Sequence, residues 1–271
     1  MRKQLSVIFA TLASMLLIFV ILFTAVEVGI SDSTFIKNEY TKLQLSKDMG
    51  MNNTDLVNSC LKLISYMKGE SDSIDIMVTV NGEKTLMFDQ EQEVVHMKDC
   101  RTLYLTIKQY RDYAVFGAVI LYVLAFLLSL KVGPLHSVAK GYISGGFIMA
   151  LLLGFIGTWA ALDFSSFWTA FHQSLFWNDL WMFDTSTSRM INMLPEQFFA
   201  DIVSKIVILA AIAIVFLMIA AIVIVVSYNK KRRREEEEAE KRAQKHRKKR
   251  RKALEEKTET VSEEEIPGTE E

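Results

Sequence analysis

Two histidines in this sequence have neighbours that could support acid–base chemistry. His96 lies in the segment EVVHMKDC, and His172 lies in the segment FHQSLFWND. If the first segment is helical, the carboxylates of Glu93 and Asp99 each lie about one turn from His96. A carboxylate at that distance can orient an imidazole ring and raise its basicity, as a general base requires. We therefore predict that His96, His172, Glu93 and Asp99 are catalytic residues. His96, supported by Glu93 or Asp99, would be the general base, and His172 would polarise a carbonyl or protonate a leaving alkoxide.

The simpler interpretation of each histidine is an ordinary structural position with one satisfied hydrogen bond, which is the commoner case for a single polar ring. A metal site has little support, because the sequence contains no His-Glu-x-x-His motif, and two histidines plus a carboxylate from separate segments form no recognisable ligand spacing. A Gly-x-Ser-x-Gly nucleophile turn is also absent. His136 and His246 are interpreted as surface residues. We expect no metal and no other cofactor.

Three further residues have two open interpretations each. Cys60 and Cys100 could form a disulfide on an oxidising side of a membrane, or they could be two small buried side chains. Glu27 closes a long apolar stretch, where a charge is costly, so it is either a functional residue or the first residue of a loop.

Apolar residues make up 51% of the 271 residues and fall into four long blocks. Each block is close to the ~20 residues that a helix needs to cross a bilayer. Each should be helical, because a backbone in lipid must form its own hydrogen bonds. A soluble protein would rarely bury four such runs without a charge. The sequence therefore predicts a mainly α membrane protein with four transmembrane helices, in the blocks 5–26, 114–130, 142–162 and 206–226.

The positive charges next to these blocks predict their orientation. Arg2 and Lys3 precede the first block, Lys131 and Lys140 lie between the second and third, and five basic residues follow the fourth, at 230–234. Segment 164–203 on the opposite side has only Arg189. Both termini are therefore predicted to be cytoplasmic. The first block is longer than a signal-peptide core and has no small-residue cleavage site, so we interpret it as an uncleaved anchor.

The remaining segments predict a small extracytoplasmic α+β cap, an aromatic interfacial segment and a charged tail. In the cap, apolar residues at helical spacing predict a helix over 55–68, and Asn81-Gly82 between two apolar runs predicts a hairpin. Trp168, His172 and Phe176 are predicted to share one helix face. The tail is interpreted as largely disordered, with anionic-lipid binding by residues 245–252 as the alternative. The predicted domains are 1–29 (N-terminal tail and first span), 30–112 (cap), 113–163 (second and third spans), 164–203 (aromatic segment), 204–228 (fourth span) and 229–271 (tail).

Three motifs resemble a bacterial family of integral membrane proteins, the lipoprotein intramolecular transacylases (Lit). The motifs are ExxHMxD at 93–99, FxxxFHxxxFxNDxW at 167–181 and MIxxLPxxFF at 190–199, and they occur in the same four-span order. The resemblance covers residues 1 to about 228 and excludes the tail. It departs from the family pattern at 184–189 (DTSTSR), where a proline and a second aspartate would be expected.

The resemblance implies an acyl transfer at the outer leaflet of the bacterial cell membrane. The sn-2 acyl chain of a diacylglyceryl lipoprotein would move to the α-amine of its N-terminal cysteine, giving the N-acyl lyso form. No soluble cofactor is needed, because donor and acceptor are one molecule. Lipid-anchored lipoproteins and membrane lipids are the expected partners, without nucleic acid, and a monomer is expected. We expect the substrate to contact Trp168, Trp177, Asn178, Asp179 and Trp181.

Two other functions stay open at this point. A metal-dependent membrane hydrolase could use His96, His172 and Asp99 as ligands, and loss of activity with a chelator would favour it. A non-enzymatic scaffold could use the cap and the tail to bind partners, and activity that survives loss of both histidines would favour that function.

If Glu93 can substitute for Asp99, Asp99→Asn should be a mild change.

Overall fold

The computed structural model describes residues 2–264, with side chains to residue 252. These residues form nine helices and one two-stranded sheet. In chain order the elements are α1 (Arg2–Ile30), α2 (Ser33–Lys42), α3 (Leu45–Asp48), α4 (Asn53–Met67), β1 (Met77–Val80), β2 (Glu83–Leu86), α5 (Glu91–Leu128), α6 (Pro134–Leu162), α7 (Phe164–Leu175), α8 (Arg189–Met193) and α9 (Glu196–Glu264).

Four of the described helices, α1, α5, α6 and α9, are long and apolar enough to cross a membrane. The predicted fold class is therefore confirmed. α1 packs against both α5 and α6. The hydroxyl of Ser6 donates to the carbonyl of Ala125 at 2.7 Å, and a Cβ at Gly141 would overlap the Cβ of Ala10. Small residues and interhelical hydrogen bonds of this kind hold helices together in lipid, where the hydrophobic effect between helices is absent.

The cap is built by α2, α3, α4 and the β1–β2 hairpin. The predicted helix at 55–68 corresponds to α4, and the predicted turn joins Val80 to Glu83 in antiparallel register. Asn81 and Gly82 both have positive φ, 48° and 91°, as this turn requires. Both sequence predictions are confirmed.

The cap core is larger than the predicted segment 30–112, because α8 and the start of α9 contribute to it. The core side chains come from six helices, from β1 and from the segment after β2, and they include Ile36, Tyr40, Leu45, Leu56, Leu63, Val78, Met87, Phe88, Met97, Met190, Met193 and Phe198. α5 begins in this core and continues without a break into its apolar stretch. The two segments predicted to lie outside the membrane therefore share one hydrophobic core.

Cys60 and Cys100 are both free thiols, so the disulfide interpretation is wrong for this structure. Cys60 is buried in the cap core, and Cys100 is half-buried on α5.

The chain divides into two compact units, one ending at Ala221 and one beginning at Ile222. The second unit is helical through Glu264, so the expectation of a largely disordered tail is wrong for the described part of it. Ion pairs one turn apart support this helix, including Arg232–Glu236 at 2.8 Å and Glu238–Arg242 at 3.8 Å.

Candidate active site

The rings of His96 and His172 lie together, although they come from different helices. His96 is in the second turn of α5, and His172 is near the end of α7. Their ring centroids are 6.1 Å apart, and the ring planes are inclined by 30°. Each side chain is 7% exposed. Both histidines lie outside the four long apolar blocks of the chain.

An aromatic wall surrounds this histidine pair. Phe176 contacts both rings, at centroid distances of 5.2 Å from His96 and 5.7 Å from His172. The prediction that Phe176 continues the helical column of Trp168 and His172 is wrong, because α7 ends at Leu175 and Phe176 has an extended backbone. The chain turns here, and this turn brings Phe176 between the two helices.

A backbone hydrogen bond fixes the orientation of His172. Its Nδ1 lies 2.8 Å from the carbonyl oxygen of Trp168, one turn earlier on α7. A carbonyl can only accept, so Nδ1 carries the proton when the ring is neutral. The lone pair is then on Nε2, which is the atom available to take a proton.

His96 has a different environment. Its Nε2 lies 3.4 Å from the Sγ of Cys100, one turn later on α5. Its Nδ1 is buried and has no hydrogen-bond partner in the described part of the chain. Phe183 closes the other side of the ring at a centroid distance of 5.4 Å.

Burial keeps both imidazoles neutral. Loss of hydration, the largest cause, and the proximity of His172 together lower the pKa of His96 to about 4, although the charge of Asp99 opposes the shift. Loss of hydration also lowers the pKa of His172, against which the Trp168 carbonyl acts. Desolvation penalises the charged form of a base, and that penalty is the larger effect at both rings.

The carboxylate of Glu93 is turned away from the histidines. It is fully buried, and it accepts hydrogen bonds from the hydroxyl of Ser188 at 2.6 Å and the backbone N–H of Met190 at 3.0 Å. Its other oxygen accepts from the N–H of Gln90 at 3.4 Å, as in a capping box. Glu93 therefore fastens the segment before α8 to the start of α5.

Asp99 lies closer to the site. Its Oδ2 accepts a hydrogen bond of 2.9 Å from the amide of Asn178, and its charge acts on both His96 and Cys100. The structure therefore brings Asp99 and Asn178 together at the edge of the histidine pair.

The three tryptophans predicted to contact substrate take different positions. Trp168 and Trp181 contact the ring of His172 at 4.7 Å and 4.9 Å. Trp177 is fully exposed on the turn after α7, and Asp179 is exposed beside it. The structure therefore places Trp168 and Trp181 in the wall, whereas Trp177 and Asp179 lie at the rim.

Sequence reasoning missed three residues that hold the segment between α7 and α8 in place. Gln92 donates from one amide to the carbonyls of Leu180 and Met182, each at 3.0 Å. Arg189 forms a forked ion pair with Asp89 at 3.0 and 2.9 Å. Ser188 is the N-cap of α8 as well as the partner of Glu93. A serine before a short helix is a capping signal, but the partner across the fold has no local signal.

Glu27 is paired instead of being free for chemistry. It accepts hydrogen bonds from Arg111 and from the hydroxyl of Tyr104, each at 3.0 Å. This cluster connects the end of α1 to α5.

Within the described residues, no three His, Cys, Asp or Glu side chains are placed to hold a metal ion, so the metal-hydrolase alternative has no ligand set there.

The family model described as "Lipoprotein intramolecular transacylase Lit" matches residues 11–199, well over half of the chain. The matched range contains both histidines and every other candidate site residue. A comparison with curated protein sequences gives no significant match.

Solved structures of the lipoprotein intramolecular transacylase Lit from Bacillus cereus are similar to this fold. One is 19% identical, covers 83% of this chain and 96% of its own, and has a TM-score of 0.59. A variant of the same protein, with a histidine replaced by alanine, is also 19% identical, covers 82% of this chain and 94% of its own, and has a TM-score of 0.61. At this identity the structural likeness shows a shared fold.

Proposed function

Because this chain belongs to the lipoprotein intramolecular transacylase (Lit) family, we propose that it moves the sn-2 acyl chain of a diacylglyceryl lipoprotein to the α-amine of the lipoprotein's N-terminal cysteine. The observation that carries this proposal is the buried histidine pair, with ring centroids 6.1 Å apart, which can contact one ester group from two sides. Donor and acceptor belong to one substrate molecule, so the reaction needs a site that positions them and moves one proton.

The reaction balances with the two imidazoles alone. The neutral α-amine attacks the ester carbonyl, a carbon–nitrogen bond forms, and a tetrahedral oxyanion develops. A proton leaves the nitrogen for an imidazole. The carbon–oxygen bond to the glycerol sn-2 position then breaks, and the same proton goes to the departing oxygen. The products are an amide and a free hydroxyl, without any net change in charge or oxidation state.

The hydrogen bonds favour a division of roles opposite to the one expected from the sequence. His172 Nε2 has the free lone pair, because Nδ1 is held by the Trp168 carbonyl. That carbonyl also stabilises the imidazolium that forms when the ring takes a proton. We assign the base to His172. No carboxylate in the described part of the chain hydrogen-bonds to His96, and its ring is strongly desolvated, so it suits a neutral donor to the ester oxygen.

Asp99 and Asn178 fit the substrate's amine. The α-amine of a cysteine is largely protonated when it arrives at neutral pH, since such groups have pKa values of about 8. A carboxylate held by Asn178 at the edge of the pair can receive that ammonium group. The amine then loses its first proton to water before it attacks. Asp99 in this role binds the substrate rather than orienting His96.

We place the site on the outer side of the membrane, with both termini in the cytoplasm. The support is the distribution of Lys and Arg at the span ends. Labelling of Lys131→Cys and Asp72→Cys, each in a background with Cys60→Ala and Cys100→Ala, tests this orientation. An impermeant reagent added outside should label the cap position only. Labelling of position 131 from outside would reverse the topology.

The activity itself is tested by mass spectrometry of a model lipoprotein's N-terminal peptide. Cells with this protein should give the N-acyl lyso form, in which one acyl chain has moved without a change in mass. His96→Ala and His172→Ala should each lose ~10²–10⁴-fold in rate, whereas His246→Ala, a change on the exposed tail, should not. If both site variants convert substrate like the wild type at equal expression, the proposed site is wrong.

The pH profile of the residual activity tests the division of roles. The wild-type rate should follow ionisation of the substrate amine, whereas without its base the enzyme also depends on hydroxide. The rate of His172→Ala, taken relative to the wild-type rate, should therefore rise about tenfold per pH unit. His96→Ala should keep the shape of the wild-type profile at a lower level. The reverse pattern would assign the base to His96, as the sequence suggested.

A further inference from the structure

We propose that the Cys100 thiol is a positioning group that holds His96 in one tautomer, with the proton on Nδ1, the nitrogen that then donates to the ester oxygen. The inference rests on the proposed function of the histidine pair. It adds a residue that no motif assigned, and it gives the site one imidazole that accepts a proton and one that donates a hydrogen bond.

The geometry places the thiol on the correct nitrogen. Cys100 follows His96 by one turn of α5, and its Sγ lies 3.4 Å from Nε2. His96 is almost fully buried, and Cys100 packs against the cap core. Nδ1 is buried too, without a hydrogen-bond partner among the described residues. The ring is therefore held at one nitrogen and free at the other.

The chemistry of a thiol decides the direction of this contact. Burial raises the pKa of Cys100 to about 12, and the charge of Asp99 acts in the same direction, so the sulfur keeps its proton. A thiol is a weak donor, but its sulfur is an equally weak acceptor, whereas an imidazole lone pair accepts well. The favoured arrangement is S–H donating to Nε2. The ring proton then lies on Nδ1.

The other groups around His96 leave this role to Cys100. Phe176 and Phe183 present aromatic edges and faces, and His172 stacks beside the ring. Asp99 acts on His96 through its charge, but the hydrogen bond that its carboxylate accepts comes from Asn178. A thiol is uncharged, so it orients the imidazole without favouring the imidazolium form. A hydrogen-bonded carboxylate, in contrast, would favour the imidazolium form. A histidine that donates to an oxyanion must carry its proton on the nitrogen that faces the oxyanion, and it must stay neutral. The Cys100 thiol keeps the His96 ring in that tautomer without adding a charge.

The two rings are then complementary. The Trp168 carbonyl holds the Nδ1–H of His172 and leaves Nε2 as an acceptor. The Cys100 thiol occupies Nε2 of His96 and leaves Nδ1–H as a donor. A substrate between them meets one acceptor for its amine proton and one donor for its ester oxygen.

The test compares Cys100→Ala with Cys100→Ser, and uses Cys60→Ala as the matched control for loss of a buried thiol in the cap. Cys100→Ala should lower kcat ~10-fold, the effect of one aligned hydrogen bond, with the KM for a diacyl lipopeptide unchanged. Cys100→Ser should stay within a few-fold of wild type, because its hydroxyl can donate to the same nitrogen. Cys60→Ala should keep the wild-type kcat.

Nitrogen-15 NMR of histidine-labelled protein gives a readout that a purely structural role would not change. In the wild type, His96 should show a protonated Nδ1 and an unprotonated Nε2. In Cys100→Ala the two tautomers should mix, whereas His172 keeps its signals. The proposal is overturned if wild-type His96 carries its proton on Nε2, if Cys100→Ala keeps the wild-type kcat, or if mass spectrometry finds an acyl group on Cys100. Failure of the proposed function is a separate result, in which His96→Ala and His172→Ala both remain active.

Discussion

The carboxylate of Glu93 accepts a hydrogen bond of 2.6 Å from the hydroxyl of Ser188, and both side chains are buried. With the backbone N–H of Met190, this contact joins the start of α5 to the segment that carries the aromatic wall. The family motif places Glu93 beside His96 in sequence, but in the fold it holds the scaffold around the pair. We therefore expect Glu93 to affect activity by holding the residues around the histidine pair in place.

Replacement of Glu93 should show this positioning role in a stability measurement. Glu93→Ala leaves buried donors without an acceptor, and each such group costs about 1–3 kcal/mol. We expect a lower melting temperature in detergent, faster proteolysis between α7 and α8, and loss of conversion. Glu91→Gln, an exposed change in the same turn, should have no effect. If Glu93→Ala loses conversion but keeps the wild-type melting temperature and protease resistance, Glu93 acts in the chemistry instead.

Acidification should destabilise the protein partly through His96. Burial lowers its pKa from 6.5 to about 4, so the folded state binds fewer protons than the unfolded state between these values. Its contribution to stability is full above pH 6.5 and is lost as the pH falls toward 4. The shift corresponds to about 3 kcal/mol. His96→Gln should therefore lose fewer degrees of melting temperature than the wild type between pH 7 and pH 4.5.

The control for this measurement is His246→Gln, since that side chain is exposed on the tail. It should follow the wild-type curve. Equal losses for the wild type and His96→Gln would mean that the pKa of His96 is not lowered by folding.

Asp99→Asn should raise KM more than it lowers kcat. The side chain would keep its volume and its contact with Asn178 but lose the charge that receives the ammonium group. An exposed ion pair contributes up to ~1 kcal/mol, so the expected increase in KM is ~5-fold. Glu93 cannot replace Asp99, because its carboxylate is already bound to Ser188. Asp72→Asn, an exposed cap residue, is the control, and an unchanged KM with a lower kcat would contradict the binding role.

The sequence was sufficient for the spans and the hairpin, and it singled out the two histidines whose rings lie together in the fold. The reasons are local. The apolar blocks are long, Asn81-Gly82 permits positive φ at both turn residues, and each histidine lies in a motif. These signals occupy a few consecutive residues, so they can be read without knowledge of the fold.

The partners of the site residues could not be predicted, because they depend on contacts between distant segments. One turn of helix makes Glu93 and His96 neighbours, but a helix does not fix which side chain rotamer is adopted. Ser188 and the N–H of Met190 offer Glu93 two donors that are visible only after α8 packs on α5. Cys100 was not recognised for a similar reason, since its partner depends on the rotation of the His96 ring.

The two tryptophans at the wall and the rim should affect different kinetic parameters. Trp181 contacts the ring of His172 at 4.9 Å, so Trp181→Ala should admit water and lower kcat by up to ~10-fold. Trp177 is fully exposed and suits contact with lipid or with an acyl chain, so Trp177→Ala should raise KM for substrate in bilayers. Trp177→Phe should restore it. A large fall in kcat for Trp177→Ala would place that side chain in the wall during turnover.

Removal of residues 235–271 should leave transacylation close to the wild-type rate. The family match ends at residue 199, and the candidate site residues all lie in the first compact unit. The deletion retains the basic residues 230–234, which should keep the fourth span in its orientation. Conversion per molecule, measured with protein amounts matched in the membrane, is the test, and a deletion from residue 229 that also removes those basic residues should reduce insertion. Loss of conversion by the shorter deletion at equal amount and orientation would show that the charged tail takes part in the reaction, through anionic lipid or another partner.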